Sequence, residues 1–320
     1  MSTDLTACSE TLAHAALPAG PLAMVGLGRM GANMARRLAC AGVAVHGVDP
    51  DAGARAALHD APGITVHATL DEAIAALPAP RSVWLMLPAG EPTQAALDTL
   101  LTRLAPGDLV IDGGNADHRD SRRRAEAFAA RGLSFADCGV SGGVWGLENG
   151  YCLMFGADGE AAPRVAALAR VLAPAPEQGW LHCGPPGAGH FVKMIHNGIE
   201  YGAMQAYAEG FALLEGAEYG LDLAKVGETW RHGSVIRSWL LDLTVAALAE
   251  PGAIDSVQPH VADSGEGRWT IEEAIRQGTP APVIALALMS RFDSQGRADT
   301  ANRLLALMRK GFGGHAVMPK

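Results

Sequence analysis

Lys193, His196, Asn197, Glu200 and Tyr201 fall at offsets 0, +3, +4, +7 and +8 within the segment Gly189–Gly202. Residues three and four apart share one stripe of an α-helix. Lys193 and Glu200 then stand two turns apart, about 10 Å along the axis at ~1.5 Å per residue. That separation suits a small polar substrate with a base at one end and an acid at the other. A solvated helix face carrying a Lys–Glu pair is the alternative. Against it, Val192, Ile195, Gly198 and Ile199 give the stripe apolar and small neighbours, the pattern of a helix packed against something.

The N-terminal half holds the elements that must serve this helix. Leu22–Val25 reads as a short apolar strand, followed by Gly26-Leu27-Gly28-Arg29-Met30-Gly31 and the start of a helix. In this GxGxxG pattern Gly26 allows a tight turn, Gly28 admits a pyrophosphate to the backbone, and Gly31 lets helix and strand pack closely. The helix N-terminus offers amides and a positive dipole to the phosphates. A second strand, Val43–Val48, ends at Asp49, which lies 21 residues after Gly28. An acidic side chain there bonds both ribose hydroxyls and repels a 2′-phosphate, so NAD is expected over NADP. Asp49 could instead cap the helix after Pro50, a task that Asp51 could also fill.

Strand-like runs recur at 64–67, 81–87, 108–112 and from Phe135 into the loop Ser141-Gly142-Gly143, with helical segments between them. This alternation predicts a parallel, doubly wound sheet of Rossmann type. Ligands bind beyond the carboxyl ends of such strands, which points to Leu87, Pro88, Ala89 and Asn115. Amides of the 141–143 loop could hold a carboxylate. Further strands are expected at 151–155 and 179–182, flanking a helix at 159–172. From Pro185 the pattern turns helical, and Phe191–Tyr219 reads as one very long helix. Its glycines at 198, 202, 210 and 216 weaken it unless close packing needs them. The expected division is an extension at 1–20, a dinucleotide-binding domain at 21–184, and an all-helical substrate and dimerisation domain with a tail at 185–320.

At 320 residues the chain can hold two domains. Its net charge of −9 argues against nucleic acid or an anionic membrane as partner. Five scattered cysteines without a CxxC suit reduced thiols and a cytoplasmic location. No Cys/His cluster or HExxH points to a metal. The longest apolar run, Ala281–Met289, is too short to span a bilayer.

The motifs GLGRMGANMARRL, DGGNADHRDS, DCGVSGGVWGLENGYCLM, GAGHFVKMIHNGIEYGAMQAYAEGF, DSGEGRWT and RKGFGGHAV together resemble the decarboxylating 6-phosphogluconate dehydrogenases, from about residue 22 to the C-terminus. The wider β-hydroxyacid dehydrogenase superfamily shares the glycine fingerprint and the Lys, but not the whole His-Asn-Gly-Ile-Glu-Tyr run. The resemblance implies oxidative decarboxylation of 6-phospho-D-gluconate to ribulose 5-phosphate and CO2 in the pentose phosphate pathway. It implies Lys193 as general base and Glu200 as general acid. It implies substrate contacts from Asn115, Ser141, Gly142, Gly143, His196, Asn197 and Tyr201. Arg268, Thr270 and Arg291 would bind the phosphate, while Arg309 and His315 would reach the site of a neighbouring subunit in a homodimer or homotetramer. The chain resembles the family's short, NAD-preferring form: it lacks room for a duplicated helical half, has Pro88 where long members have Lys, and carries Trp145 and Leu147 in a loop that is more polar in long members.

The chemistry asks for the same residue types. Arginine binds phosphate bidentately. A lysine that takes the C3 hydroxyl proton must first be neutral, which burial or a nearby cation favours against its ordinary pKa of about 10.4. Rival readings are a dehydrogenase of a small unphosphorylated acid such as 3-hydroxyisobutyrate, an imine reductase, and an NAD-sensing regulator without catalysis. The arginines weigh against the first, and the paired proton-transfer residues against the other two.

Overall fold

The computed structural model describes residues 20–313 and 316–318. Packing divides the chain into two compact units, the first ending at Met194 and the second starting at Ile195.

In the first unit strands and helices alternate: β1 (Leu22–Val25), α1 (Arg29–Cys40), β2 (Val45–Val48), α2 (Ala52–Ala56), β3 (Ile64–His67), α3 (Leu70–Ala76), β4 (Ser82–Leu85), α4 (Glu91–Arg103), β5 (Leu109–Asp112), α5 (His118–Ala129) and β6 (Ser134–Ser141). A 3₁₀ turn (Gly143–Trp145) and the single-turn α6 (Gly146–Asn149) lead to β7 (Cys152–Ala157), α7 (Ala161–Leu172) and β8 (Trp180–Gly184). The eight strands form one sheet in the order β3-β2-β1-β4-β5-β6-β7-β8. This is the expected doubly wound α/β sheet with one difference: β7 runs antiparallel to β6, Ser141 opposite Cys152. A parallel return needs a crossover of a dozen or more residues, and the turn and single helical turn between these strands are too short to provide it.

Alternation along each strand separates two core layers. Leu22, Met24, Trp84 and Ile111 join Met34 and Leu38 of α1 and Leu168 of α7 on one face. Ala23, Val83, Leu85 and Val110 join Ile74, Leu97, Leu100 and Phe128 of α3, α4 and α5 on the other. Each large apolar side chain so buried stabilises by about 1.5–3 kcal/mol. Among the described cysteines Cys138, Cys152 and Cys183 are free thiols.

Next comes α8 (Ala188–Glu215), a 28-residue helix, beginning three residues before and ending four before the span read from periodicity. The boundary between the two packing units falls inside it, after the first turns, which pack on the sheet. Asp137, buried in β6, accepts from Gly187 N–H at 2.5 Å and His190 N–H at 2.6 Å. It thereby satisfies amides that the start of a helix leaves unpaired. Burial pushes the Asp137 pKa up; His190 and the amide donors pull against that. His190 Nδ1 and Ser121 Oγ, 2.7 Å apart, tie α5 to the same turn.

The second unit continues along α8 and adds α9 (Leu223–Arg231), α10 (Trp239–Ala249), α11 (Glu266–Gln277), α12 (Pro282–Ser294) and α13 (Asp299–Gly313). Its cores are small. Tyr201, Ala287 and Leu288 form one, and Phe211, Leu241 and Val245 the other. No helix among the described residues is long and apolar enough to cross a membrane.

Replacing Asp137 by Ala leaves two buried amides without an acceptor. The expected loss is about 1–3 kcal/mol, read as a lowered thermal midpoint; an unchanged midpoint would show that the anchor is dispensable.

Candidate active site

The glycine turn after β1 has the geometry its spacing foretold. Gly26 sits at φ +91°, and a Cβ on Gly31 would lie 1.9 Å from Gly26 O, so only glycine lets α1 start this close to β1. Around Gly28 the space is open, with nothing within 4 Å of where a Cβ would sit. Among the described residues no side chain caps α1, which leaves the amides following Gly28, at Arg29, Met30 and Gly31, to an anion. Asp49 stands beside the turn: Oδ2 accepts from Leu27 N–H at 2.8 Å and Oδ1 from Asp51 N–H at 2.9 Å. Each oxygen keeps a second lone pair for a ribose hydroxyl. The cap of α2 is Asp51, which accepts from Ala54 N–H at 2.7 Å. An open glycine, uncapped amides and a fixed carboxylate fit the pyrophosphate and ribose of a dinucleotide.

Leu87, Pro88 and Ala89 follow β4, where Thr93 Oγ1 donates to Pro88 O at 2.7 Å. Asn115 follows β5 and is exposed. Both segments lie beyond the carboxyl edge of the sheet, on the side of the glycine turn.

Lys193 comes from the second turn of α8 and is 6% exposed. The helix crosses β6 so closely that a Cβ on Gly139 would lie 2.2 Å from Lys193 Cβ and 2.6 Å from its Cγ. Gly139 thus sets the depth at which the lysine sits, a role that the spacing of the motif did not disclose. Two residues on, Ser141 lies on the same strand face, opposite Cys152. Burial raises the Cys152 thiol pKa and the nearby Lys193 charge lowers it, which puts the ammonium at this end of the strand pair.

The loop after β6 is held from two sides. Gly142 and Gly143 both take positive φ, at 127° and 53°. The buried Arg37 of α1 donates to Leu147 O at 3.2 Å, Val171 O at 3.2 Å and Ala173 O at 2.6 Å, and Asn33 Nδ2 donates to Val144 O at 3.2 Å. The helix that opens the dinucleotide turn therefore also fixes the Ser141-Gly142-Gly143 loop. Tyr151 lies beneath α6 in contact with Gly146; burial pushes its pKa up to about 12, so it stays neutral.

In the second unit His196 Nδ1 lies 2.8 Å from Asn197 Oδ1 and 3.9 Å from Glu200 Oε2. Asn197 Nδ2 donates to the buried Glu266 at the start of α11. Ser264 Oγ donates to the same carboxylate oxygen at 3.0 Å and lies 3.0 Å from Tyr201 Oη. The Arg291 guanidinium stacks 3.6 Å above the Tyr201 ring and donates to Ala262 O at 2.7 Å. One connected group thus gathers His196, Asn197, Glu200, Tyr201 and Arg291, with Glu266 and Ser264 as members that sequence reasoning missed.

The other expected phosphate ligands are placed differently. Arg268 pairs with Asp263 and stacks on Phe292. Thr270 is buried, donates its hydroxyl to Glu266 O at 2.8 Å, and fills the space where a side chain at Gly198 would stand. Its hydroxyl is thus engaged within α11, and its side chain spaces two helices. Arg309 is exposed on α13. His315 lies outside the described residues.

Comparison with known proteins identifies the family. The NAD binding domain of 6-phosphogluconate dehydrogenase matches residues 21–178, and the C-terminal domain of the same enzyme matches residues 189–312. A Haloferax volcanii protein named 6-phosphogluconate dehydrogenase, NAD(+)-dependent, decarboxylating, is 42% identical over 93% of this chain and 99% of its own length. The structure of Plasmodium falciparum 6-phosphogluconate dehydrogenase superposes with a TM-score of 0.79 at 26% identity, covering 94% of this chain and 66% of that one. A Mycobacterium tuberculosis 3-hydroxyisobutyrate dehydrogenase gives 0.67 at 25% identity, covering 87% of this chain and 94% of that one. With its dinucleotide turn, its buried lysine and matches along nearly its whole length, the chain belongs to the 6-phosphogluconate dehydrogenase family.

Proposed function

We propose that this protein oxidises and decarboxylates 6-phospho-D-gluconate with NAD, yielding ribulose 5-phosphate and CO2, and that Lys193 and Glu200 move the protons. The observation that carries this reading is the placing of both residues on α8, two turns apart, with Lys193 buried against Gly139.

NAD, when bound, accepts the hydride from C3 of the substrate. Lys193 takes the proton of the C3 hydroxyl, leaving a 3-keto acid and an ammonium. As the bond between C2 and the carboxylate carbon C1 breaks and CO2 leaves, its electron pair forms the C2=C3 double bond, and the Lys193 ammonium donates to the C3 oxygen to give the enediol. Glu200 then protonates the carbon that bore the carboxylate. Ser141, Gly142 and Gly143 supply hydroxyl and amide donors at the Lys193 end. His196, Asn197 and Tyr201 meet substrate hydroxyls, and Arg291 receives the phosphate. Arg268, neutralised by Asp263, shapes the turn before α11. A small unphosphorylated hydroxyacid would give Arg291 no phosphate to bind, which is why that substrate is disfavoured.

We also propose a homo-oligomer, with Arg309 and His315 serving a neighbouring subunit's site, and a cytoplasmic location. Support for association comes from the second unit, whose small cores leave Val283 at 66%, Leu286 at 67% and Leu305 at 54% exposure. Apolar patches of this kind mark protein interfaces.

Lys193→Ala is expected to cut kcat by about 10²–10⁴-fold while NAD affinity, followed by fluorescence, stays unchanged; near-normal turnover would remove Lys193 as base. Glu200→Ala is expected to slow exchange of the C1 protons of ribulose 5-phosphate in D2O, and full-rate exchange would rule Glu200 out. With Asp49→Ser the ratio of kcat/KM for NADP over NAD is expected to rise at least about tenfold, equivalent to about 1.4 kcal/mol; a constant ratio would free Asp49 from that role. Light scattering is expected to give the mass of a dimer or tetramer, reduced by Leu286→Asp. A monomeric wild type would contradict the assembly.

A further inference from the structure

Glu266 belongs to no role described so far. It sits at the start of α11, 2% exposed, with both hydrogen-bonded donors on Oε2 and, among the described residues, no partner for Oε1. A buried acceptor without a partner costs about 1–3 kcal/mol. A residue kept only for packing has no reason to bear that cost.

Its effect runs through Asn197. A side-chain amide has one donor end and one acceptor end, and they are not interchangeable beside a charge. The carboxylate attracts the NH2 end, so Nδ2 donates to Glu266. Oδ1 must then point the other way, and there it meets His196 Nδ1 at 2.8 Å. The Glu200 carboxylate also lies near Nδ1, at 3.9 Å. Facing these two acceptors, Nδ1 carries the ring proton. A neutral His196 then keeps its lone pair on Nε2.

We propose that Glu266 is a positioning residue: through Asn197 it fixes His196 as the Nδ1–H tautomer, so that Nε2 accepts a hydrogen bond from a substrate hydroxyl. Ser264 and Tyr201 extend the chain from the same carboxylate oxygen, so one buried anion orients three residues toward a polyhydroxylated ligand. The kinetic part of this inference rests on the proposed substrate; the tautomer does not.

The test is nitrogen NMR of the full-length protein carrying ¹⁵N-histidine, with His196→Gln used to assign the ring. Wild type is expected to show a protonated Nδ1 and an unprotonated Nε2 at neutral pH. Glu266→Gln keeps the shape but offers Asn197 either end of an amide, so the His196 signals are expected to report a mixture of tautomers. The same variant is expected to raise the KM for 6-phosphogluconate about tenfold, the scale of one well-made hydrogen bond, with the KM for NAD unchanged and Glu266→Asp restoring part of the loss. A wild-type His196 protonated on Nε2 would overturn the proposal, whether or not Glu266→Gln folds. An unchanged substrate KM in a folded Glu266→Gln would overturn it as well. If wild type fails to turn over 6-phosphogluconate, the substrate assignment falls, and the tautomer still decides the role of Glu266.

Discussion

The first turn of α8 rests on a buried carboxylate. Asp137 lies inside β6, yet its two oxygens take the amides of Gly187 and His190. A helix that begins on a sheet would otherwise bury those donors unpaired. Two residues further along the strand, Gly139 leaves only a backbone for Lys193 to lie against. These neighbouring features fix where α8 starts and how deep it sits. In the proposed reaction this junction takes no part itself; it places Lys193.

Two couplings extend that junction within the units. In the first, Arg37 spends its donors on three carbonyls and holds the loop after β6 to the helix that opens the dinucleotide turn. Burial lowers its pKa, but an arginine remains charged at any working pH. In the second, Glu266 links α11 to α8 through Asn197, and the glycine at 198 lets Thr270 pack against the same stretch of α8. Polar order of this kind compensates for cores that are small for a unit of this length.

Much of this was legible in the sequence where short-range patterns decide it. The strands, the dinucleotide turn and the long helix follow from period-2 and period-3.6 apolar spacing and from glycine positions. So does the stripe from Lys193 to Tyr201, because helix geometry alone aligns it. What the sequence hid depends on distant partners. Asp137 and Gly187 are 50 residues apart, and Asn197 and Glu266 are 69 apart. Asp137 did leave a signal, a carboxylate inside an otherwise apolar strand, which demands a partner. Glu266, between two glycines, left none. The bond from the Thr270 hydroxyl to Glu266 O was hidden too, because residue type does not show where a hydroxyl's proton goes. The antiparallel β7 was missed because strand direction depends on how the connection folds.

The central claim is that the close crossing at Gly139 holds Lys193 where it can take a proton. Gly139→Ala tests it most directly, because the added methyl must push Lys193 and the start of α8 away from the sheet. Turnover of 6-phosphogluconate, counted as NADH and CO2 formed together, is expected to fall by at least about tenfold while NAD affinity is retained, since a displacement of about 1 Å costs up to 10²-fold in rate. Full turnover in a folded Gly139→Ala protein would contradict the claim and leave the position of Lys193 to some other constraint.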